Sequence, residues 1–303
     1  MDNGPLVSVG IPCYNRPEGL RRTLECICGQ TYRNLEIIIS DNCSPDPDVE
    51  RVAREFACKD PRIQYFRQSV NEGPAFNFKF VLEKATGEYF MWASDDDEWE
   101  SEFIQRLLGY LLCNVDASVA MSSIKRIDEY GNVFDIIKYN QLLRENYNQF
   151  RWAVFAASHD IISYFIYGLY RTLDVREFDG DFDNSFGKDM VLMCELALST
   201  KMGCIDEILY INHIYLKKGT SERYADEEIG KSYGDPLNYF KFFLNFGPCL
   251  LFSPRIPIKN KLCIPFMVIK QGMWIGRIYL RQISHGLFTI AVKSFYFVLR
   301  KFS

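Results

Sequence analysis

The segment WASDDDEW at 92–99 sets three carboxylates side by side, Asp95, Asp96 and Asp97, between the apolar run GEYFMWA and the run EFIQRLLGYLL. Adjacent acids repel one another unless a cation neutralises them. Hard divalent cations prefer oxygen ligands, and Mg²⁺ is typically held by one or two carboxylates together with the phosphates of its substrate. This spacing therefore points to a metal–diphosphate site. A plainer alternative is an acidic helix start, since carboxylates are favoured at a helix N-terminus.

The elements that would position these acids follow from periodicity. LVSVGIPC at 6–13 and LEIIISD at 35–41 read as buried strands, the second ending on Asp41. A helix over 18–30 follows Pro17, VERVAREFACK at 49–59 has helical spacing, and RIQYFRQ at 62–68 is a short strand. A helix from about Pro74 to Ala85 leads into the strand GEYFMWA. Alternation of this kind implies a parallel α/β sheet, whose ligands bind beyond the carboxyl ends of the strands. Asn15, Asp41 and the acidic cluster all fall there. From about Val115 the pattern loosens into a strand VAMSSIKRI, a loop around Glu129 to Asn132 and a helix at 188–200.

A hydrophobic fraction of 48% with 24% charged residues excludes a disordered chain. The ten cysteines accompany an N-terminus, MDNGPLVSVG, without the basic and long apolar regions of a signal peptide, so reduced thiols in the cytoplasm are expected. Cys26 and Cys28 form a CxC with no second pair at zinc-finger spacing, and no structural zinc is expected.

Charge divides the chain. All 39 acids lie at or before Asp235, whereas 236–303 carries ten Lys or Arg and no acid. Two regions with different partners are implied. In the basic region Lys270, Arg277, Arg281 and His285 share one side of a helix, leaving Met273, Ile278, Leu280 and Ile283 mostly elsewhere. The longest uncharged stretch, the 13 residues from Phe242 to Pro254, is too short to span a bilayer. An interfacial anchor on an anionic membrane fits, with Trp274 and Tyr279 at headgroup depth. The alternative is a helical appendage packed on the main domain or on a second copy. Nucleic acid is not an expected partner, because the tail is rich in aromatic and aliphatic residues and the rest of the chain is acidic.

Over about residues 6–235 the chain resembles the family 2 glycosyltransferases of the GT-A fold. VSVGIPCYNR is similar to that family's first strand and loop, LEIIISDNCSPD to its second strand with a base-binding acid, and NEGPAFNFKFVLEKATGEYFMWASDDDEW to the run into its acidic motif. The resemblance implies an α/β GT-A domain over 1–235: a Rossmann-like, mostly parallel central sheet flanked by helices. Residues up to about 114 would bind the nucleotide-sugar and 115–235 the acceptor, with 236–303 a helical amphipathic extension. It implies inverting transfer of a sugar from a UDP- or dTDP-linked donor to a hydroxyl of a saccharide or lipid-linked saccharide, assisted by Mg²⁺ or Mn²⁺. Cell-surface polysaccharide synthesis on the inner face of the membrane is the expected setting.

By motif match, Pro12, Tyr14, Asn15 and Arg16 border the nucleotide, and Asp41 accepts a hydrogen bond from the uracil or thymine imide. The other reading of Asp41 is a turn carboxylate capping its own backbone. The family's common form W-L-D-x-D-D-x-W puts Ser94 where the first Asp is expected. Asp96 is then the metal ligand with Asp97 beside it, and Asp95 the ribose or second metal contact. FGKDMVLMCELAL at 186–198 is similar to the family's E-D followed by an apolar helix, which makes Asp189 the general base. Lys188 replaces the usual Glu, and an adjacent ammonium tends to lower a carboxylate pKa. Asp189 also suits the first turn of a helix. His213 is a third metal ligand or diphosphate contact, or else a structural residue. Lys217, Lys218 and Arg223 lie in a loop able to close over the diphosphate. Two rivals remain. A sugar nucleotidyltransferase would need a Gly-rich phosphate loop that IPCYNRPEG does not supply. A non-catalytic nucleotide-sugar-binding protein stays open because of Ser94 and Lys188.

Overall fold

The computed structural model describes residues 4–139, 160–177, 188–214 and 236–273. Its first half is a set of parallel strands: β1 (Val7–Cys13), β2 (Leu35–Asp41), β3 (Ile63–Arg67) and β4 (Tyr89–Trp92). Every residue of β1, β2 and β4 is buried. Strands covered on both faces read as continuous apolar runs rather than as alternation, as VSVGIPC and LEIIISD do. Three helices make the crossovers: α1 (Pro17–Cys28), α2 (Pro47–Lys59) and α3 (Pro74–Lys84). Each begins with Pro at its start, where the missing N–H costs nothing.

The sheet order is β3-β2-β1-β4 and then continues β8-β6-β9-β5, once these strands are defined. They are β5 (Glu98–Trp99), β6 (Ala117–Ile127), β8 (Leu169–Arg171) and β9 (Lys201–His213), with β7 (Val133–Ile137) paired to β6. The chain leaves β1 toward β2 and returns to its other side at β4, so the strand order reverses between β1 and β4. Registers pair Cys13 with Asp41 and Gly10 with Trp92. The loops after β1, β2 and β4 therefore emerge together on one rim, the expected location of a ligand crevice.

The second half departs from a purely parallel sheet. β8 runs antiparallel to both β4 and β6, and β5 antiparallel to β9, while β6 and β9 are parallel. Arg171 at the end of β8 braces this junction. Its guanidinium donates to the Ala117 carbonyl at 3.0 Å, to the Tyr89 hydroxyl at 3.0 Å and to the Leu111 carbonyl at 2.7 Å. The last of these satisfies a carbonyl in the final turn of α4 (Phe103–Cys113), where helix ends leave orphan acceptors. β5, β7, β8 and β9 are absent from the sequence-based elements above.

Two helices follow β8: α5 (Thr172–Arg176) and α6 (Lys188–Ser199). After residue 235 come α7 (Pro236–Phe252), α8 (Ile258–Lys261) and a helical stretch at 264–273. Of the basic helix expected around 270–285, only its start lies among the described residues. There Lys270 and Met273 are both exposed.

The acidic segment does not lead directly into a helix. β5 intervenes, α4 starts only at Phe103, and its N-cap Glu102 makes no side-chain capping bond. The helix-start explanation of Asp95, Asp96 and Asp97 is thereby overturned. Instead α1 lies against their backbone. A Cβ on Gly19 would sit 2.2 Å from the Asp95 carbonyl oxygen, and Thr23 Oγ1 donates to the carbonyls of Ser94 at 2.9 Å and Asp97 at 3.2 Å. Gly19→Ala is expected to cost about 1–3 kcal/mol through overpacking and to weaken divalent-cation binding as the loop shifts. Thermal unfolding with a Mn²⁺ titration checks this, and an unchanged midpoint would mean that the loop yields freely.

Candidate active site

The turn leaving β1 is tied to the acidic loop. Tyr14 N donates to Asp95 Oδ2 at 3.0 Å, and Arg16 Nη1 donates to Asp95 Oδ1 at 2.9 Å and to Asp96 Oδ2 at 3.0 Å. One guanidinium nitrogen thus bridges two buried carboxylates. Between them, Asn15 has φ of 55° and its N–H donates to Ser44 Oγ at 2.9 Å. Pro12 is buried in β1 opposite Ser40, whereas Tyr14, Asn15 and Arg16 are half-buried on the rim.

Asp97 faces the other way, toward β9. Its carboxylate accepts from Ser94 Oγ at 2.6 Å, Tyr210 OH at 2.5 Å, Asn212 Nδ2 at 3.0 Å and the His213 N–H at 2.9 Å. Four donors occupy it, so Asp97 serves to hold the loop to the second half of the sheet. Ser94, which stands where a first Asp was expected, is one of those donors. The His213 ring is engaged as well: Nε2 lies 2.6 Å from Glu98 Oε1. His213 thus touches the acidic segment with both its backbone and its ring.

Burial is the main cause of the electrostatics. It pushes the Asp95 carboxyl up to about 6, with the Arg16 charge opposing and the Asp96 charge adding. Burial also raises Asp97 to about 6, reinforced by Asp96 and opposed by its hydrogen-bond donors.

Asp41 is wholly enclosed. Oδ1 accepts from the Ser44 N–H at 2.8 Å, and Oδ2 from Tyr65 OH and Arg67 Nη1, each at 3.0 Å. This is the turn-capping arrangement, with Tyr65 and Arg67 both on Oδ2. Cys43, at the apex of the turn, has φ of 59°. Arg67 Nη2 also donates to the Ser44 carbonyl at 2.9 Å, so one residue of β3 braces the whole turn.

Asp189 is the second residue of α6, and its side chain lies outside the described residues. Lys217, Lys218, Arg223, Trp274, Arg277, Tyr279, Arg281 and His285 lie outside them too. Sequence reasoning missed Ser44, Tyr65, Arg67, Thr23, Tyr210 and Asn212. Strand alternation carried a signal for two of these, since Tyr210 and Asn212 are two apart and so share a face of β9.

A divalent cation fits this donor set. Among the described residues no three His, Cys, Asp or Glu side chains close a cage. Mg²⁺ and its like need only one or two carboxylates when phosphate oxygens and water complete the shell. The Arg16 bridge shows that Asp95 and Asp96 converge on a single positive charge, and Arg16 is the one donor to Asp96 among the described residues.

The architecture is that of the GT-A fold. S. aureus TarS 1-349 in complex with UDP-GlcNAc aligns with a TM-score of 0.63 at 15% identity, covering 87% of this chain and 72% of that one. The mannosyltransferase PcManGT from Pyrobaculum calidifontis, in complex with GDP-Man and Mn²⁺, aligns with a TM-score of 0.55 at 13% identity over 93% and 81% of the two chains. At these identities the likeness is one of fold. Residues 8–169, more than half of the chain, match the profile of glycosyl transferase family 2, and the protein belongs to that family. A Campylobacter jejuni GalNAc(5)-diNAcBac-PP-undecaprenol beta-1,3-glucosyltransferase is 36% identical over 105 residues, 34% of each chain. Matches cover 15% to 44% of the length of such curated relatives.

A buried carboxyl must lose its proton before it ligates a metal. For the metal-free chain, raised carboxyls stabilise the fold below the ordinary carboxyl pKa of about 4, and this contribution is lost as pH rises through about 6. Cation binding runs in the opposite sense. Mn²⁺ affinity of the full chain is expected to climb as pH rises through about 6 and then level off. Calorimetric titration across that range checks it, and a flat profile would remove Asp95 from the cation's surroundings.

Proposed function

We propose that this chain transfers a sugar, with inversion, from a UDP- or dTDP-linked donor to a hydroxyl of a saccharide or lipid-linked saccharide, in the making of a cell-surface polysaccharide. The observation that carries the reading is the Asp95–Asp96 pair bridged by Arg16 at the carboxyl ends of β1 and β4. Residues 1–235 would form the catalytic domain, with 1–114 holding the donor and 115–235 the acceptor. Residues 236–303 would keep the enzyme peripheral on the inner face of the membrane. No helix among the described residues is long and apolar enough to cross it.

In this mechanism Tyr14, Asn15 and Arg16 line the donor's nucleotide and diphosphate, and Asp41 accepts a hydrogen bond from the base imide while its other bonds fix the shape of that rim. Asp96 and Asp95 would hold Mg²⁺ or Mn²⁺, which would supply Lewis-acid stabilisation of charge on the departing diphosphate. Arg16 would meet the same oxygens. Asp189 takes the proton of the acceptor hydroxyl as that oxygen attacks the anomeric carbon. The bond to the diphosphate breaks on the opposite side and its electron pair leaves on the diphosphate oxygen. Asp97 and His213 hold the loop still.

Two substitutions test the assignment. Asp96→Ala should remove the gain in UDP affinity that Mn²⁺ brings to the parent, measured by calorimetry with and without the metal. An equal gain in the variant would sink the ligand assignment. Asp189→Asn keeps the side chain's size, and should lower turnover by at least about 10²-fold with donor affinity nearly unchanged. Turnover close to the parent's would mean that another residue is the base.

A further inference from the structure

The helices after residue 235 present apolar side chains in two directions. On α7, Phe242, Phe246 and Leu250 recur every four residues and are buried, yet Leu244 and Leu251 on other sides are about half exposed and Phe252 is 80% exposed. A helix apolar all round is ordinarily buried on all sides. α8 and the stretch at 264–273 continue the exposed surface with Ile258 at 86%, Leu262 at 75% and Ile269 at 61%.

These residues are contiguous. Leu251, Phe252, Ile258, Leu262 and Ile269 line one open groove of about 860 Å³, in whose wall Lys261 is the one charged residue. The groove is shaped by close helix approach: a Cβ on Gly247 would lie 2.9 Å from Val268 Cγ2, and one on Gly272 would lie 3.1 Å from Phe243 Cε2. Lys241, Lys259 and Lys270 are exposed on the same three helices, and no acid occurs anywhere in 236–303.

We infer that this shelf, formed by α7, α8 and 264–273, is the surface that inserts into an anionic membrane leaflet, with Phe252, Ile258 and Leu262 entering the acyl layer and Lys259 and Lys261 meeting lipid phosphates. The inference rests on the membrane setting proposed above and moves the contact there from the segment beyond 273 to described residues. Charge selects the occupant. An apolar surface flanked by cations alone matches a leaflet of anionic headgroups over hydrocarbon, whereas a second copy of the shelf would bring like charges face to face.

The shelf is fixed to the catalytic half. Glu195 on α6 is buried and accepts from Ser253 Oγ and from Arg255 Nη1, the latter at 3.2 Å. Asn260 Nδ2 donates to the Leu198 carbonyl at 2.6 Å, capping the last turn of the same helix. α6 also carries Asp189. Insertion of the shelf therefore sets the distance and tilt of that helix relative to the bilayer, which suits an acceptor hydroxyl held near a lipid anchor.

The test is co-sedimentation of the full chain with phosphatidylcholine vesicles, with and without phosphatidylglycerol. The parent should bind the anionic vesicles, less at high salt. The triple variant F252S/I258S/L262S should lose at least about tenfold in partition and K259E/K261E should lose preference for the anionic vesicles, while thermal midpoints and UDP binding stay at parental values. A triple variant that binds like the parent overturns the shelf, because the bilayer contact then lies in another segment such as 274–303. A parent that binds no vesicles overturns both the shelf and the membrane setting, but leaves sugar transfer itself to be judged by Asp189→Asn. A self-association that the triple variant abolishes, without vesicle binding, assigns the shelf to a second copy and overturns the inference.

Discussion

Burial of Asp95, Asp96 and Asp97 in one short loop is the constraint around which this molecule is arranged. Unpaired buried charges are expensive, so each must be met by donors or by an opposite charge. The chain divides the load. Arg16 takes Asp95 and Asp96 from the β1 side, and β9 takes Asp97 with a hydroxyl, an amide and a backbone N–H. The loop between the two halves of the sheet is thereby held from both, and the site is a seam as much as a pocket.

That seam accounts for the mixed direction of the sheet. A parallel α/β half can present three strand ends on one rim, but it cannot reach around to the far side of the acidic loop. β8 and β9 do so, the first by joining β4 to β6 and the second by placing Tyr210, Asn212 and His213 against Asp97. Arg171 bridges strand, helix end and tyrosine at the junction, a geometry available to a planar guanidinium with several donors and not to a lysine.

How far this was legible in the sequence differs between the halves. β1 to β4 and their helices follow from long apolar runs and helical spacing, and the observed bounds lie within two residues of those expected. β5 and β8, of two and three residues, are too short to show any period. β9 mixes buried and half-exposed positions, so its pattern is blurred. At the site, the residue types at Asp95, Asp96 and Arg16 pointed to charge chemistry, and the structure brings those three together. The bonds that Asp41 makes could not be read, because its partners Tyr65 and Arg67 lie on the next strand, 24 and 26 residues on, beyond any local motif. The bonds of Asp97 were hidden for the same reason, since three of its four donors, on Tyr210, Asn212 and His213, are more than a hundred residues distant.

Two residues on the rim, Asn15 and Cys43, hold left-handed backbone conformations that glycine would adopt more easily. Glycine there would leave the turns many shapes in the free protein, and a ligand would have to select among them. A side chain at φ near +55° to +59° restricts those choices in advance, at a cost of order 1–3 kcal/mol for each residue held in such a region, met while the chain folds and not when the donor arrives. The cross-link from the Asn15 N–H to Ser44 Oγ ties the two turns into one frame. The rim is thus a preformed mould, and little ordering entropy is left to be lost on binding.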